Sequence, residues 1–142
     1  MLTEVVIWQP VGWGQSSFGH VSVNINGKTY SFSPSGMKVF DTSDYLSRNK
    51  FREGVGSELN LSPCEEKKVE DFLKNYQESY SFPTTTCAVP IQQALKKLGY
   101  DLGSNLHPVS LGYTLMDSGL VKRYNFYDAT ILREGSGAPW AK

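Results

Sequence analysis

Phe18-Gly19-His20-Val21-Ser22-Val23-Asn24-Ile25-Asn26-Gly27-Lys28-Thr29-Tyr30-Ser31-Phe32-Ser33 is the stretch whose reading decides the fold. Apolar and polar residues alternate over residues 18–25 and again over 28–33, the two-residue period of a half-buried strand. Between the runs stands Asn26-Gly27, the dipeptide preferred by a type I′ turn because both central residues take positive φ. With that turn, Ile25 faces Lys28, Val23 faces Tyr30, Val21 faces Phe32 and His20 faces Ser33. Val21, Val23, Ile25, Tyr30 and Phe32 then share a core face, while His20, Ser22, Asn24, Ser31 and Ser33 share the other.

The second face is polar toward its open end, where a general base with a hydroxyl neighbour is expected. Ser33, across from His20, would accept one ring N–H and fix the tautomer that leaves the other nitrogen free for a thiol. Ser31 and Tyr30 are weaker candidates for that part. The plainer alternative is that His20 is an ordinary polar residue on a solvated sheet face.

A thiol stands in Thr84-Thr85-Thr86-Cys87-Ala88-Val89-Pro90-Ile91-Gln92-Gln93-Ala94-Leu95-Lys96-Lys97-Leu98-Gly99. Ala88, Ile91, Ala94, Leu95 and Leu98 recur at helical spacing, and Gly99 is placed to end the helix in the left-handed conformation. With Thr86 as N-cap, Cys87 lies in the first turn; alternatively the regular helix begins near Pro90, which suits a first turn, and Cys87 sits just before it. Both placements set the sulfur near the positive end of the helix dipole, which favours a thiolate. An imidazole that takes the thiol proton would complete a nucleophile. The alternative for Cys87 is a small buried hydrophobe.

The rest of the chain reads as scaffold and substrate wall. Residues 3–9 read as a strand, and Pro10-Val11-Gly12-Trp13-Gly14-Gln15-Ser16-Ser17 as a loop ahead of the His strand. In that loop Trp13 would stack on a substrate, and Gln15 would donate to an oxyanion beside the backbone N–H of Cys87; the alternative is a glycine-rich connection with Trp13 folded over the core. Asp41 or Thr42 caps a short helix through Leu46, and residues 56–61 form another strand. Ser62-Pro63-Cys64-Glu65 has a capping box with Pro at the first helical position, and Val69, Phe72, Leu73 and Tyr76 follow as a buried stripe. Cys64 is a helix-start residue with no chemistry assigned. His107-Pro108-Val109-Ser110 opens a helix through Asp117 that Ser118-Gly119 ends, and residues 120–132 read as one or two strands. Residues 1–133 make one domain, and 134–142 a loose tail.

At 142 residues the chain is long enough for a sizeable core. Lys plus Arg and Asp plus Glu both number 14, so the formal net charge is zero and no global field draws nucleic acid or anionic membrane. The run Glu65-Glu66-Lys67-Lys68-Val69-Glu70-Asp71 reads as a solvated helix face. Residues 1–10 lack a basic leader and read as a strand rather than a signal peptide, and no stretch approaches the roughly 20 apolar residues that span a bilayer. Two cysteines at 64 and 87 make no disulfide framework, and with His20 and His107 they show no zinc-ligand spacing. No metal and no cofactor is expected.

Gly19-His20-Val21-Ser22-Val23, Lys28-Thr29-Tyr30-Ser31-Phe32-Ser33-Pro34, and Thr86-Cys87 followed by Leu95, Leu98 and Gly99 resemble the His hairpin and Cys helix of the permuted NlpC-type, papain-like cysteine hydrolases. His precedes Cys by 67 residues here, the order of the permuted branch, and the resemblance runs over residues 3–132. It implies an α+β fold, an antiparallel sheet with the His-bearing hairpin packed against the Cys-bearing helix. It implies Cys87 as nucleophile and His20 as base, with the orienting position falling on Ser33 or Ser31. Similar domains occur in bacterial toxins delivered by contact-dependent or type VI secretion, in cell-wall amidases, and in acyltransferases resembling lecithin retinol acyltransferase. The first expectation is therefore a peptide amide of peptidoglycan cleaved by an antibacterial effector. Such an effector is cytoplasmic in the producing cell, exported by a specialised system and paired with an immunity protein. A lipid acyl-ester hydrolase or acyltransferase, or a binding module without turnover, are the other expectations.

Overall fold

The computed structural model describes residues 2–10, 19–81 and 85–129. In chain order these form β1 (Thr3–Trp8), β2 (His20–Ile25), β3 (Lys28–Ser33), β4 (Gly36–Asp41), α1 (Thr42–Arg48), β5 (Gly54–Leu59), α2 (Pro63–Lys74), α3 (Val89–Lys97), α4 (Pro108–Ser118) and β6 (Val121–Tyr127). The fold is α+β. Its six strands make one antiparallel sheet in the order β4-β3-β2-β1-β5-β6.

The hairpin forms as its sequence dictates. Val23 pairs with Tyr30 and Ile25 with Lys28, around a turn in which Asn26 and Gly27 both take positive φ. The chain then turns at once through Pro34-Ser35 into β4, an edge strand the sequence reading leaves out. On one face of the sheet Val5, Val21, Val23, Ile25 and Leu59 pack against Val69 and Leu73 of α2, Ile91 and Leu95 of α3, and Leu111 and Leu115 of α4. Each such side chain contributes about 1.5–3 kcal/mol by leaving water. On the other face Val6 and Trp8 pack with Tyr45 of α1. The face carrying Ser22, Asn24 and Ser31 is thus buried rather than solvated.

Local signals place most helix ends. Ser62 and Glu65 make the capping box at the head of α2, and Gly119 ends α4 in the left-handed conformation. The helix after Asp41 runs to Arg48, two residues beyond Leu46, and its cap has no side-chain hydrogen bond. β5 runs over Gly54–Leu59 rather than 56–61, and its first residue leaves room for Trp8: a Cβ on Gly54 would lie 2.7 Å from the Trp8 ring.

The charged run of α2 departs from expectation. Glu66 and Glu70 are buried, held by Thr3 Oγ1, which donates to Glu66 Oε2 at 2.8 Å, and by the Tyr30 hydroxyl, which donates to Glu70 Oε2 at 2.9 Å. Their periodicity matches Val69 and Leu73, so the stripe facing the sheet includes two carboxylates with hydroxyl partners. Among the described residues no helix is long and apolar enough to cross a membrane.

Candidate active site

His20 is the first residue of β2 and the partner of Trp8 on β1. Its Nε2 lies 2.7 Å from Ser31 Oγ. Ser33, the residue expected to orient the ring, is engaged elsewhere: its Oγ is 2.9 Å from Ser35 Oγ and accepts the Ser35 N–H. The ring therefore leans diagonally across the twisted pair, a reach open to aromatic side chains, and Ser31 takes the place assigned to Ser33. The Tyr45 hydroxyl lies beside Ser31 and Ser22, and Trp8 Nε1 donates to Ser22 Oγ at 2.9 Å. Whether Nε2 donates to Ser31 or accepts from it depends on the ring's tautomer.

Cys87 occupies a turn just ahead of α3, whose first residue is Val89 and whose N-cap is Ala88. Of the two placements open from the sequence, the later helix start holds, with Pro90 in the first turn where its missing N–H is not needed. Thr86 is not the N-cap; its Oγ1 donates to the Leu106 carbonyl at 2.7 Å and accepts the Ala88 N–H at 3.4 Å. Gln92 fixes the same turn by donating to the carbonyls of Ala88, at 2.7 Å, and Asn105, at 2.6 Å. Gly99 takes positive φ after the last turn, as its placement requires.

The backbone N–H groups of Val21 and of Cys87 itself face the sulfur, which sets Sγ beside the His20-Val21 peptide. Cys87 belongs to the core cluster on the Val21 face, whereas the His20 ring hydrogen-bonds Ser31 on the opposite face. Tyr80 joins the two sides. Its hydroxyl meets the backbone N–H of Cys87, and the side chain lines the same cavity as His20. That cavity has a volume of about 220 Å³, and Ser31, Tyr45, Asn49 and Arg52 also line it.

Burial sets the protonation of both groups. Desolvation pushes the Cys87 thiol from 9.0 up to about 11, and outweighs the two N–H groups and the positive Arg52 that favour its thiolate. Desolvation likewise lowers His20 from 6.5 to about 3, with the Arg52 charge adding to the effect. The resting pair is a neutral thiol and a neutral imidazole. A thiolate held by the helix dipole is thus not the resting form, because loss of water costs the anion more than the nearby donors return.

Arg52, Tyr45 and Tyr80 are members of the site that sequence reading missed. Arg52 carried no signal beyond being one cation in a connecting segment; Tyr80 lay in an aromatic-rich stretch with no period. Arg52 is buried, with its Nε and Nη2 donating to Asn49 Oδ1 at 3.1 and 2.8 Å and its guanidinium stacked over Trp8 and Phe51. Trp13 and Gln15, the proposed substrate and oxyanion residues, lie outside the described residues, as does the segment 134–142. Cys64 is exposed at the head of α2, and His107 is the N-cap residue of α4, its carbonyl accepting the Leu111 N–H. Among the described residues no three His, Cys, Asp or Glu side chains gather as a metal site. No family model, no curated protein and no solved structure matches this chain.

Proposed function

We propose that the protein is a cysteine hydrolase of the permuted NlpC type that cleaves peptide amide bonds of peptidoglycan, acting as an antibacterial effector with an immunity protein as its partner. The observation that carries this reading is the His20 ring, fixed by Ser31 and bordering a cavity whose wall includes Tyr80, the neighbour of the Cys87 amide. Both groups rest neutral and no hydrogen bond joins Cys87 Sγ to the His20 ring, so the reading requires the ring and the sulfur to come within reach as substrate binds: Sγ then attacks the carbonyl carbon while its proton passes to the imidazole. The tetrahedral oxyanion draws on backbone N–H groups beside the sulfur. The C–N bond then breaks, the amine leaves with the proton from His20, and a thioester remains on Cys87. Water attacks the thioester and gives a proton to His20. The carboxylic acid departs and the thiol is restored.

A second reading, a domain that binds an acyl or peptide ligand without turnover, is favoured by the same neutrality of the pair. Incubation with purified cell-wall sacculi and, separately, with phospholipid vesicles distinguishes the possibilities, with Cys87→Ala as control. New amine and carboxyl ends from sacculi, absent with Cys87→Ala, support the amidase. Fatty acid release from vesicles supports instead the lipid acyl-ester hydrolase, and no product from either supports the binding module.

A further inference from the structure

We infer that the cavity beside His20 is a carboxylate receptor, in which the buried Arg52 guanidinium holds an anionic group of the ligand. Arg52 is only 6% exposed, yet the side chains that bond it are neutral. Asn49 Oδ1 occupies the Nε side of the guanidinium, and Tyr45, the other polar neighbour, is a phenol kept protonated by burial. Nη1 is buried with no hydrogen-bond partner. A buried cation with a donor unmet is costly, and a partner that supplies an acceptor there offsets that cost. Tyr45 stands beside the guanidinium as well, so the donor left to meet an anion is Nη1, and a guanidinium is the group best suited to a carboxylate.

The choice of a carboxylate over a phosphate follows from charge. Among the described residues Arg52 is the single cation that lines the cavity, and the ring of His20 is neutral there, so the site balances one negative charge rather than two. Ser31 and Tyr45, both uncharged, also line the cavity. This inference rests on the hydrolase reading only for its consequence, that the preferred substrate carries a free carboxylate close to the scissile amide. The binding step needs no turnover.

The test uses the full chain and three probes: N-acetyl-D-alanine, its uncharged amide, and inorganic phosphate, each titrated at neutral pH by calorimetry or by NMR. The acid is expected to bind about tenfold more tightly than the amide, the usual advantage of a charge-assisted bond, and more tightly than phosphate. In Arg52→Met that preference should vanish, and in Arg52→Lys it should shrink, since the charge stays and the fork goes. Thermal melting checks that the variants fold. Should Arg52→Met not fold, the native titrations and Arg52→Lys still decide. Equal binding of acid and amide, no binding of the acid, or tighter phosphate binding would each overturn the inference. Preference for the acid without any hydrolysis of sacculi leaves the receptor standing and removes the hydrolase; hydrolysis that is indifferent to the carboxylate does the reverse.

Discussion

The Cys87 thiol should be a slow nucleophile in the unliganded protein, and its pH profile should show why. Burial raises it from 9.0 to about 11, so at neutral pH it holds about a hundredfold less thiolate than an unperturbed cysteine. A more basic thiolate is also more reactive, by a factor of about 6–10 for two pH units, which leaves a net deficit of about tenfold. The assay is alkylation by iodoacetamide in a Cys64→Ser background, which removes the exposed thiol, followed by mass spectrometry from pH 6 to 11. The rate should climb about tenfold per pH unit and only begin to bend at the top of that range, with no plateau reached. Restricted access lowers the whole curve without changing its slope, so the position of the bend is the decisive quantity. A plateau reached by pH 8, with a rate above that of a peptide cysteine, would refute the argument: the thiolate would then exist at rest, and the balance between desolvation and donors would have been drawn the wrong way.

Three further outcomes follow. Ser31→Ala should cut turnover of sacculi by about 10- to 100-fold through loss of the ring's orientation while leaving KM nearly unchanged, whereas Ser33→Ala should stay within about twofold of the native protein; the reverse order would restore Ser33 to the role. His20 is lowered from 6.5 to about 3, so between those values the unfolded chain binds the proton and the folded one does not. Its contribution to stability is therefore complete above pH 6.5 and is lost as pH falls toward 3, at up to about 1.4 kcal/mol per pH unit; urea titrations from pH 4 to 7 should show a shallower acid loss in His20→Gln. Gly54→Ala should destabilise the protein by about 1–3 kcal/mol in urea unfolding, since the added methyl meets the Trp8 ring at 2.7 Å, and an unchanged midpoint would show that the ring yields freely.

The parts of this fold legible in the sequence are those whose cause is local. Asn26-Gly27 needs only its own backbone preferences to make the turn, and Ser62 with Glu65, Pro108 and Gly119 mark helix ends for similar reasons. Alternation correctly separates Val21 and Tyr30 from His20 and Ser31, yet it cannot say that α1 will cover the second face, because that depends on where Tyr45 lands. Ser31 rather than Ser33 meets His20 because of side-chain lean across a twisted strand pair, a feature invisible to a register drawn flat. Glu66 and Glu70 read as solvated until Thr3 and Tyr30, 63 and 40 residues away in sequence, arrive to bond them. The protonation of Cys87 has the same origin: helix-start chemistry is local, but the desolvation that overrides it comes from packing between distant segments. Arg52 shows the limit most sharply, since only the assembled cavity reveals that among the described residues its charge is bonded by Asn49 and by no carboxylate.

The claim that Cys87 attacks a carbonyl with His20 as its base is tested most directly by intact-mass detection of an acyl adduct after mixing the protein with an activated peptide ester. The account predicts a thioester on Cys87 that forms and decays in the native protein, is absent in Cys87→Ala, and forms about 10²- to 10⁴-fold more slowly in His20→Ala. An adduct that forms equally fast without His20, or no adduct at Cys87 at all, would contradict it.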